Sequence, residues 1–298
     1  MPSRRQWWAC LLWTGLAWAS AAGLQAQTVS VRDDTQHELR LSRLPERLVS
    51  LLPALTETVC ALGQCHKLVG VDRYSNWPSA VQALPRLGGG LDFNLEGVLA
   101  LRPDLVLVAA SSPGQQRLRA LGVPVLALEP RTHADVQRLL LTLAQVLGLP
   151  AAHAQRIWRD IDSGVSAAAQ SLPASARGQK VYVEVGSGPY GASEASFIGQ
   201  TLARLGQTNI LPASLGPFPL IQGEFVVRAQ PDVIIASHSS GTDIAQRPGW
   251  AQVAAIKTGR VCAFAPAQAD VLMRPGPRLA EAAHLMAQCL LTGSGGKP

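Results

Sequence analysis

The residue types that perform covalent or metal chemistry are present in this chain without the spacings such chemistry needs. Among His37, His66, His133, His153, His238 and His284 no two stand at close helical ligand spacing, so no zinc or manganese set forms along one helix. Gly-x-Ser-x-Gly, His-Glu-x-x-His and a Cys-His pair in suitable context are all missing, which removes the common hydrolase and metalloprotease designs. Gly186-Ser-Gly188-Pro-Tyr-Gly191 does satisfy a dinucleotide-binding fingerprint after a strand. Its context fails, because no acidic residue ends the next strand about 20 positions on and the helix begins too late. Those glycines serve close backbone approach or tight turning instead. The chain reads as a recognition protein, not an enzyme, and no resident cofactor is expected.

Two carboxylates carry the clearest pattern. Glu96-Gly-Val-Leu-Ala-Leu-Arg-Pro103-Asp104-Leu-Val-Leu-Val and Glu224-Phe-Val-Val-Arg-Ala-Gln-Pro231-Asp232-Val-Ile-Ile-Ala are the same unit used twice. Each has a Glu opening a short helix, a Pro-Asp turn and a continuous apolar run of the kind buried in a parallel sheet. The duplication extends in both directions. Arg47-Leu-Val-Ser-Leu-Leu and Lys180-Val-Tyr-Val-Glu-Val are strands, followed by helices ending at Leu62-Gly63 and Leu205-Gly206, and Val123 to Leu128 matches Arg260 to Ala265. Alternating strands and helices predict an α/β fold of two lobes, each a parallel sheet covered on both faces.

The elements between the copies join them. His133 to Leu147 carries an apolar stripe at Val136, Leu139, Leu140, Leu143 and Val146. Ala151 to Leu172 continues with Ile157, Trp158, Ile161, Val165 and Ala168 until Pro173 stops it. The expected organisation is an N-terminal lobe over 27–148, a connecting helix within 149–173 and a C-terminal lobe over 174–298. A single helix resists bending, so a ligand should enter a cleft that is already nearly formed.

Residues 1–26 read as a removable export signal, with Arg4 and Arg5 ahead of an apolar run to Ala22 and a small-residue exit near Ala26. Ser3-Arg4-Arg5-Gln6-Trp7 half resembles a twin-arginine signal, so the export route stays open. Cys10 lacks a lipoprotein cleavage context. Beyond residue 27 no stretch reaches the roughly 18 to 20 apolar residues that span a bilayer. Without Arg4 and Arg5 the 26 basic residues become 24 against 20 acidic, with no basic run to bind nucleic acid. Cys60, Cys65, Cys262 and Cys289 remain, and an exported protein permits disulfides. Of three connectivities the local one is favoured, Cys60 with Cys65 and Cys262 with Cys289.

Several short segments, in this order and spacing, resemble the helical-backbone (class III) periplasmic binding proteins of ATP-driven importers for cobalamin, haem and iron siderophores. They are Arg47-Leu-Val-Ser-Leu-Leu-Pro53-Ala-Leu-Thr56-Glu57, Gly70-Val-Asp-Arg-Tyr74-Ser-Asn-Trp77-Pro78, Asn94-Leu-Glu96 and Arg274-Pro-Gly-Pro-Arg278. Ser-Leu-x-Pro-x-x-Thr-Glu followed by Tyr-Ser-x-x-Pro looks closest to the vitamin B12-binding members. The resemblance implies a monomeric periplasmic protein that takes cobalamin or a related corrinoid, alternatively haem or an iron(III) siderophore, and delivers it to a membrane ABC permease dimer. It also implies that Glu96 and Glu224 dock onto permease arginines; the residue types allow the plainer role of favouring a helix N-terminus, worth about 0.3 to 1 kcal/mol.

A corrin needs aromatic faces and a few polar groups. Candidate ligand contacts are Pro53, Tyr74 and Trp77 from the first lobe, with Tyr190 and Phe218 from turns of the second. Gly88-Gly89-Gly90 stands where cobalamin binders commonly place an aromatic, and Phe93 is the nearby ring that would replace it. His238 either ligates cobalt or iron or is a solvated loop residue. Arg274 and Arg278 either meet a ligand carboxylate or phosphate or cap the final helix region. Trp158 and Trp250 are assigned to packing.

Overall fold

A computed structural model describes residues 28–90, 92–185, 189–237 and 244–293. The expected signal segment, Gly186 to Gly188 and His238 lie outside the described residues.

A two-stranded antiparallel hairpin, β1 (Val29–Arg32) and β2 (Glu38–Leu41), precedes the first lobe. That lobe runs β3 (Leu48–Ser50), α1 (Pro53–Ala61), β4 (Leu68–Val71), α2 (Leu95–Ala100), β5 (Leu105–Val108), α3 (Gly114–Ala120) and β6 (Val125–Ala127). Its parallel sheet has the order β4-β3-β5-β6. Every residue of β3, β5 and β6 is buried, as expected of strands covered on both faces.

Next come α4 (His133–Val146) and α5 (Ala151–Gln170). Thr132 caps α4, accepting from the Asp135 N–H while the Asp135 carboxylate accepts from the Thr132 N–H, a reciprocal box that satisfies two otherwise orphaned donors. The expected stripe Val136, Leu139, Leu140, Leu143 and Val146 is buried throughout. In α5, Ile161, Val165 and Ala168 are buried, and Ile157 and Trp158 pack on the core more shallowly.

The second lobe contains β7 (Lys180–Val185), β8 (Tyr190–Gly191), α6 (Phe197–Arg204), β9 (Thr208–Asn209), α7 (Gly223–Ala229), β10 (Val233–Ser237), α8 (Ala254–Lys257), β11 (Val261–Phe264), α9 (Pro266–Met273) and α10 (Leu279–Thr292). The parallel order β9-β7-β10-β11 repeats the first sheet, and β8 is an antiparallel addition on β7.

Matched backbone details establish the duplication. Gly63 and Gly206 end α1 and α6 at φ +77° and +72°, a left-handed turn that glycine takes without a Cβ clash. Arg102 and Gln230 hold equivalent positive φ values of 46° and 49° just before the two Pro-Asp pairs. Asp104 and Asp232 then each tie their turn to the start of the neighbouring strand in the sheet, β3 or β7. The Asp104 carboxylate accepts from the Glu46 and Arg47 N–H groups at 3.0 and 3.1 Å, and that of Asp232 accepts from the Lys180 N–H at 2.8 Å.

The lobes share one apolar core: Leu105 and Leu107 of the first sheet and Val181 and Val183 of the second belong to a single cluster that runs through α4, α5 and α10. Helix α10 lies so close to α5 that a Cβ on Gly164 would come within 2.6 Å of Ala280 Cβ. Both expected disulfides are present, Cys60–Cys65 beside the end of α1 and Cys262–Cys289 fastening β11 to α10. Among the described residues no helix is long and apolar enough to cross a membrane.

The backbone donors of Glu46 and Arg47 lower the Asp104 pKa. A carboxylate depressed in the folded state stabilises above its unfolded pKa, about 3.9, and loses that contribution as pH falls through the folded value. Asp104→Asn should cost about 1 to 2 kcal/mol at pH 7. In urea unfolding followed by circular dichroism, the difference from wild type should shrink below about pH 4; a constant difference would mean that the charge is irrelevant.

Candidate functional site

In open α/β sheets ligands settle beyond the carboxyl ends of the strands. Here the ends of both sheets open onto one cavity between the lobes, with a volume of about 530 Å³, inside the range of roughly 300 to 1,000 Å³ usual for small-molecule sites. The first lobe lines it with Leu52, Pro53 and Ala54 after β3 and with Glu129, Pro130 and Arg131 after β6. The second supplies Phe197 at the start of α6 and the turn Leu215 to Phe218; Met273 at the end of α9, with Arg274 and Pro275 after it, closes the side.

The Phe218 ring meets Phe197 edge-on at 6.1 Å between centroids. Phe197 is buried, so it supports Phe218, which stays 38% exposed towards a guest. Below them the lobes are bonded directly. The Phe197 N–H donates to the Arg131 carbonyl at 2.6 Å, and His133 Nε2 lies 2.8 Å from Thr201 Oγ1. Burial, reinforced by Arg204, lowers the His133 pKa, so this ring is neutral at physiological pH. The Arg131 side chain is exposed at the cavity. It is the polar head available there to an anionic group.

Arg274 lines the cavity, but its guanidinium is committed elsewhere. Nη1 donates to Glu57 Oε1 at 2.8 Å and Asn76 Oδ1 at 2.9 Å, and Nη2 to the Tyr74 carbonyl and Asp270, each at 2.9 Å. Arg278 donates to both Glu57 oxygens, from Nε at 2.9 Å and from Nη2 at 2.7 Å. Of the two expected roles for these arginines, ligand anion or helix-end structure, the geometry gives them a third as partners of a buried carboxylate on α1.

The sequence-derived contacts therefore divide. Pro53, Phe218 and Arg274 lie on the cavity wall. Tyr74 and Trp77 follow β4 in a loop held beside it: the Tyr74 N–H donates to Asp72 at 2.7 Å, and the Trp77 ring lies under the Arg278 guanidinium at 4.8 Å. Burial raises the Asp72 pKa, against the opposing pull of its Ser75 hydrogen bond. Tyr74 is 58% and Tyr190 48% exposed, and neither lines the cavity. Phe93 packs into the first lobe against Gly114 and borders a separate hollow, so it does not supply a ring to the interlobe wall. Trp250 is buried against Tyr182, as its packing assignment required. Sequence reading missed Leu52, Ala54, Arg131, Phe197 and Met273; Leu52 ends a predicted strand, and Ala54 and Arg131 lie two and three residues beyond one, which was the available signal.

A periplasmic binding protein family model matches residues 48–267. The chain belongs to the periplasmic binding protein family. An ABC transporter substrate-binding lipoprotein of Bacillus subtilis is 25% identical over 273 residues, spanning 88% of this chain and 85% of its own length. The vitamin B12-binding protein of Pectobacterium carotovorum is 29% identical over 250 residues, 81% of this chain and 87% of its own. A periplasmic haem-binding protein of Pseudomonas aeruginosa superposes with a TM-score of 0.70 at 27% identity, covering 83% of this chain and 93% of that one. As a substrate-binding protein of this family, the chain binds a small ligand for delivery to a membrane permease and is not an enzyme.

The wall geometry ranks the candidate contacts. Phe218→Ala should weaken ligand binding by on the order of 1 kcal/mol or more, and more than Tyr74→Ala does, with the fold unchanged by circular dichroism. Equal or reversed losses in calorimetric titrations would move the site out towards the Tyr74 loop.

Proposed function

We propose that the protein captures cobalamin or a related corrinoid in the interlobe cavity and presents it to an ABC importer. The observation that carries this reading is a cavity shared by both lobes, with mainly apolar walls, one aromatic face on Phe218, one exposed guanidinium on Arg131 and the Glu129 carboxylate near it in the chain. Broad macrocycles bind by burying apolar area, and sparse polar groups orient them. The relatives named as vitamin B12-binding proteins support the corrinoid assignment.

Haem is the second reading. A flat tetrapyrrole suits the cavity volume, its carboxylates would meet Arg131, and haem-binding structural relatives support it. Titration of the purified protein with cyanocobalamin, haemin and a ferric siderophore, followed by visible absorbance, separates these cases. Saturation at one equivalent with cyanocobalamin is expected; saturation by haemin alone would replace the corrinoid reading with the haem one.

In this account residues 1–26 are removed on export, and the mature chain works free in the periplasm as a monomer. Glu96 and Glu224 are the docking pair. Each is the second residue of its helix, α2 or α7, and each is exposed. Carboxylates so placed offer bidentate acceptors to arginines and fix orientation at two points. Glu96→Ala and Glu224→Ala should each slow uptake in vesicles containing the importer while leaving ligand affinity intact, and the double variant should be worst. A buried contact of this kind is worth roughly 2 to 5 kcal/mol, and a rim contact less. Normal transport by the double variant would remove both residues from the docking surface.

A further inference from the structure

Glu57 is 1% exposed on α1, and it does not line the cavity. A lone buried carboxylate is expensive, so its partners are obligatory. Both come from the segment between α9 and α10, more than 200 positions away in the chain. Arg274 is 8% exposed and reaches from Glu57 to Asn76 and the Tyr74 carbonyl in the first lobe, while Asp270 on α9 pairs with it and accepts from Asn76 Nδ2 at 2.7 Å. Arg278 covers the second Glu57 oxygen and stacks on Trp77. Each polar contact crosses from the first lobe to this late segment or fixes a residue that does. In the same segment, a Cβ on Gly276 would lie 3.7 Å from Ala54, and Ala54 and Arg274 are both cavity walls.

From this we infer that Glu57 is a positioning residue for ligand capture, locking the two lobes at the spacing that forms the cavity without touching the guest. Buried ion pairs contribute little net stability against apolar replacements, but removing one partner leaves an uncompensated charge. The function of such a pair is to select one arrangement. With Glu57 gone, Arg274 and Arg278 repel each other, and the segment from Met273 to Arg278 loses its seat on α1. Affinity falls by the fraction of molecules that still hold the competent spacing, so a competent fraction of about one tenth weakens binding about tenfold.

The inference rests on the interlobe cavity being the ligand site, and its test has an arm that needs no ligand. Spin labels at Leu121→Cys and Leu220→Cys, both on exposed residues of opposite lobes, report the interlobe distance by double electron–electron resonance. The protein with Glu57 intact should give one narrow distribution. Glu57→Ala and Glu57→Gln should broaden it or add a longer population, and Arg278→Gln, which leaves Arg274 paired, should broaden it less. Arg278→Lys should recover most of the narrow distribution. In parallel, cyanocobalamin should bind Glu57→Gln about tenfold more weakly than wild type, as a competent fraction of about one tenth requires. Wild-type distance distributions in every folded variant would overturn the lock. If the wild-type protein does not bind cyanocobalamin, the ligand assignment fails, and the distance measurement still decides the role of Glu57.

Discussion

The Glu57 carboxylate, held out of water between two guanidiniums, is the constraint from which the arrangement around the cleft follows. It requires the segment after α9 to return across the molecule to α1. That return brings Met273, Arg274 and Pro275 to the side of the cavity and pins the loop carrying Tyr74, Asn76 and Trp77. The apolar core running through α4, α5 and α10 holds the lobes from behind. Together these two attachments leave little freedom for wide opening, so ligand entry into a largely formed cleft is what the fold favours.

The duplication explains why the lobes match, and the cavity shows where they have diverged. The same Pro-Asp turn, glycine helix end and strand order recur, and the surface glutamates fall at corresponding places on α2 and α7. The walls are unlike. The second lobe contributes the aromatic pair Phe197 and Phe218, and the first contributes Leu52, Pro53 and the exposed Arg131. Equivalence on the outside suits a permease made of two similar subunits; difference on the inside suits an asymmetric guest.

Much of the fold was legible because its determinants are local. Gly63 and Gly206, the buried stripe of α4, the apolar runs of β5 and β10 and the Cys60–Cys65 pair each announce themselves within a few residues. The site was legible only in part. Pro53 and Phe218, which line the cavity, could be picked out because they sit in turns after predicted elements. Phe93 was misplaced because its partner, Gly114, is known only once α3 folds back on it. Arg274 was left between two roles because Glu57 lies 217 positions away, and nothing local marks that carboxylate as buried. Arg131 carried no motif at all; only the convergence of strand ends from two lobes brings it to the cavity.

Hydrogen exchange of the mature protein with and without cyanocobalamin tests the central claim, capture of a corrinoid between the lobes, most directly. The account predicts that peptides spanning Leu52 to Ala54 and Arg131 in the first lobe slow together with those spanning Phe197 and Leu215 to Phe218 in the second. Protection confined to one lobe, or found only on surfaces away from these residues, would contradict it.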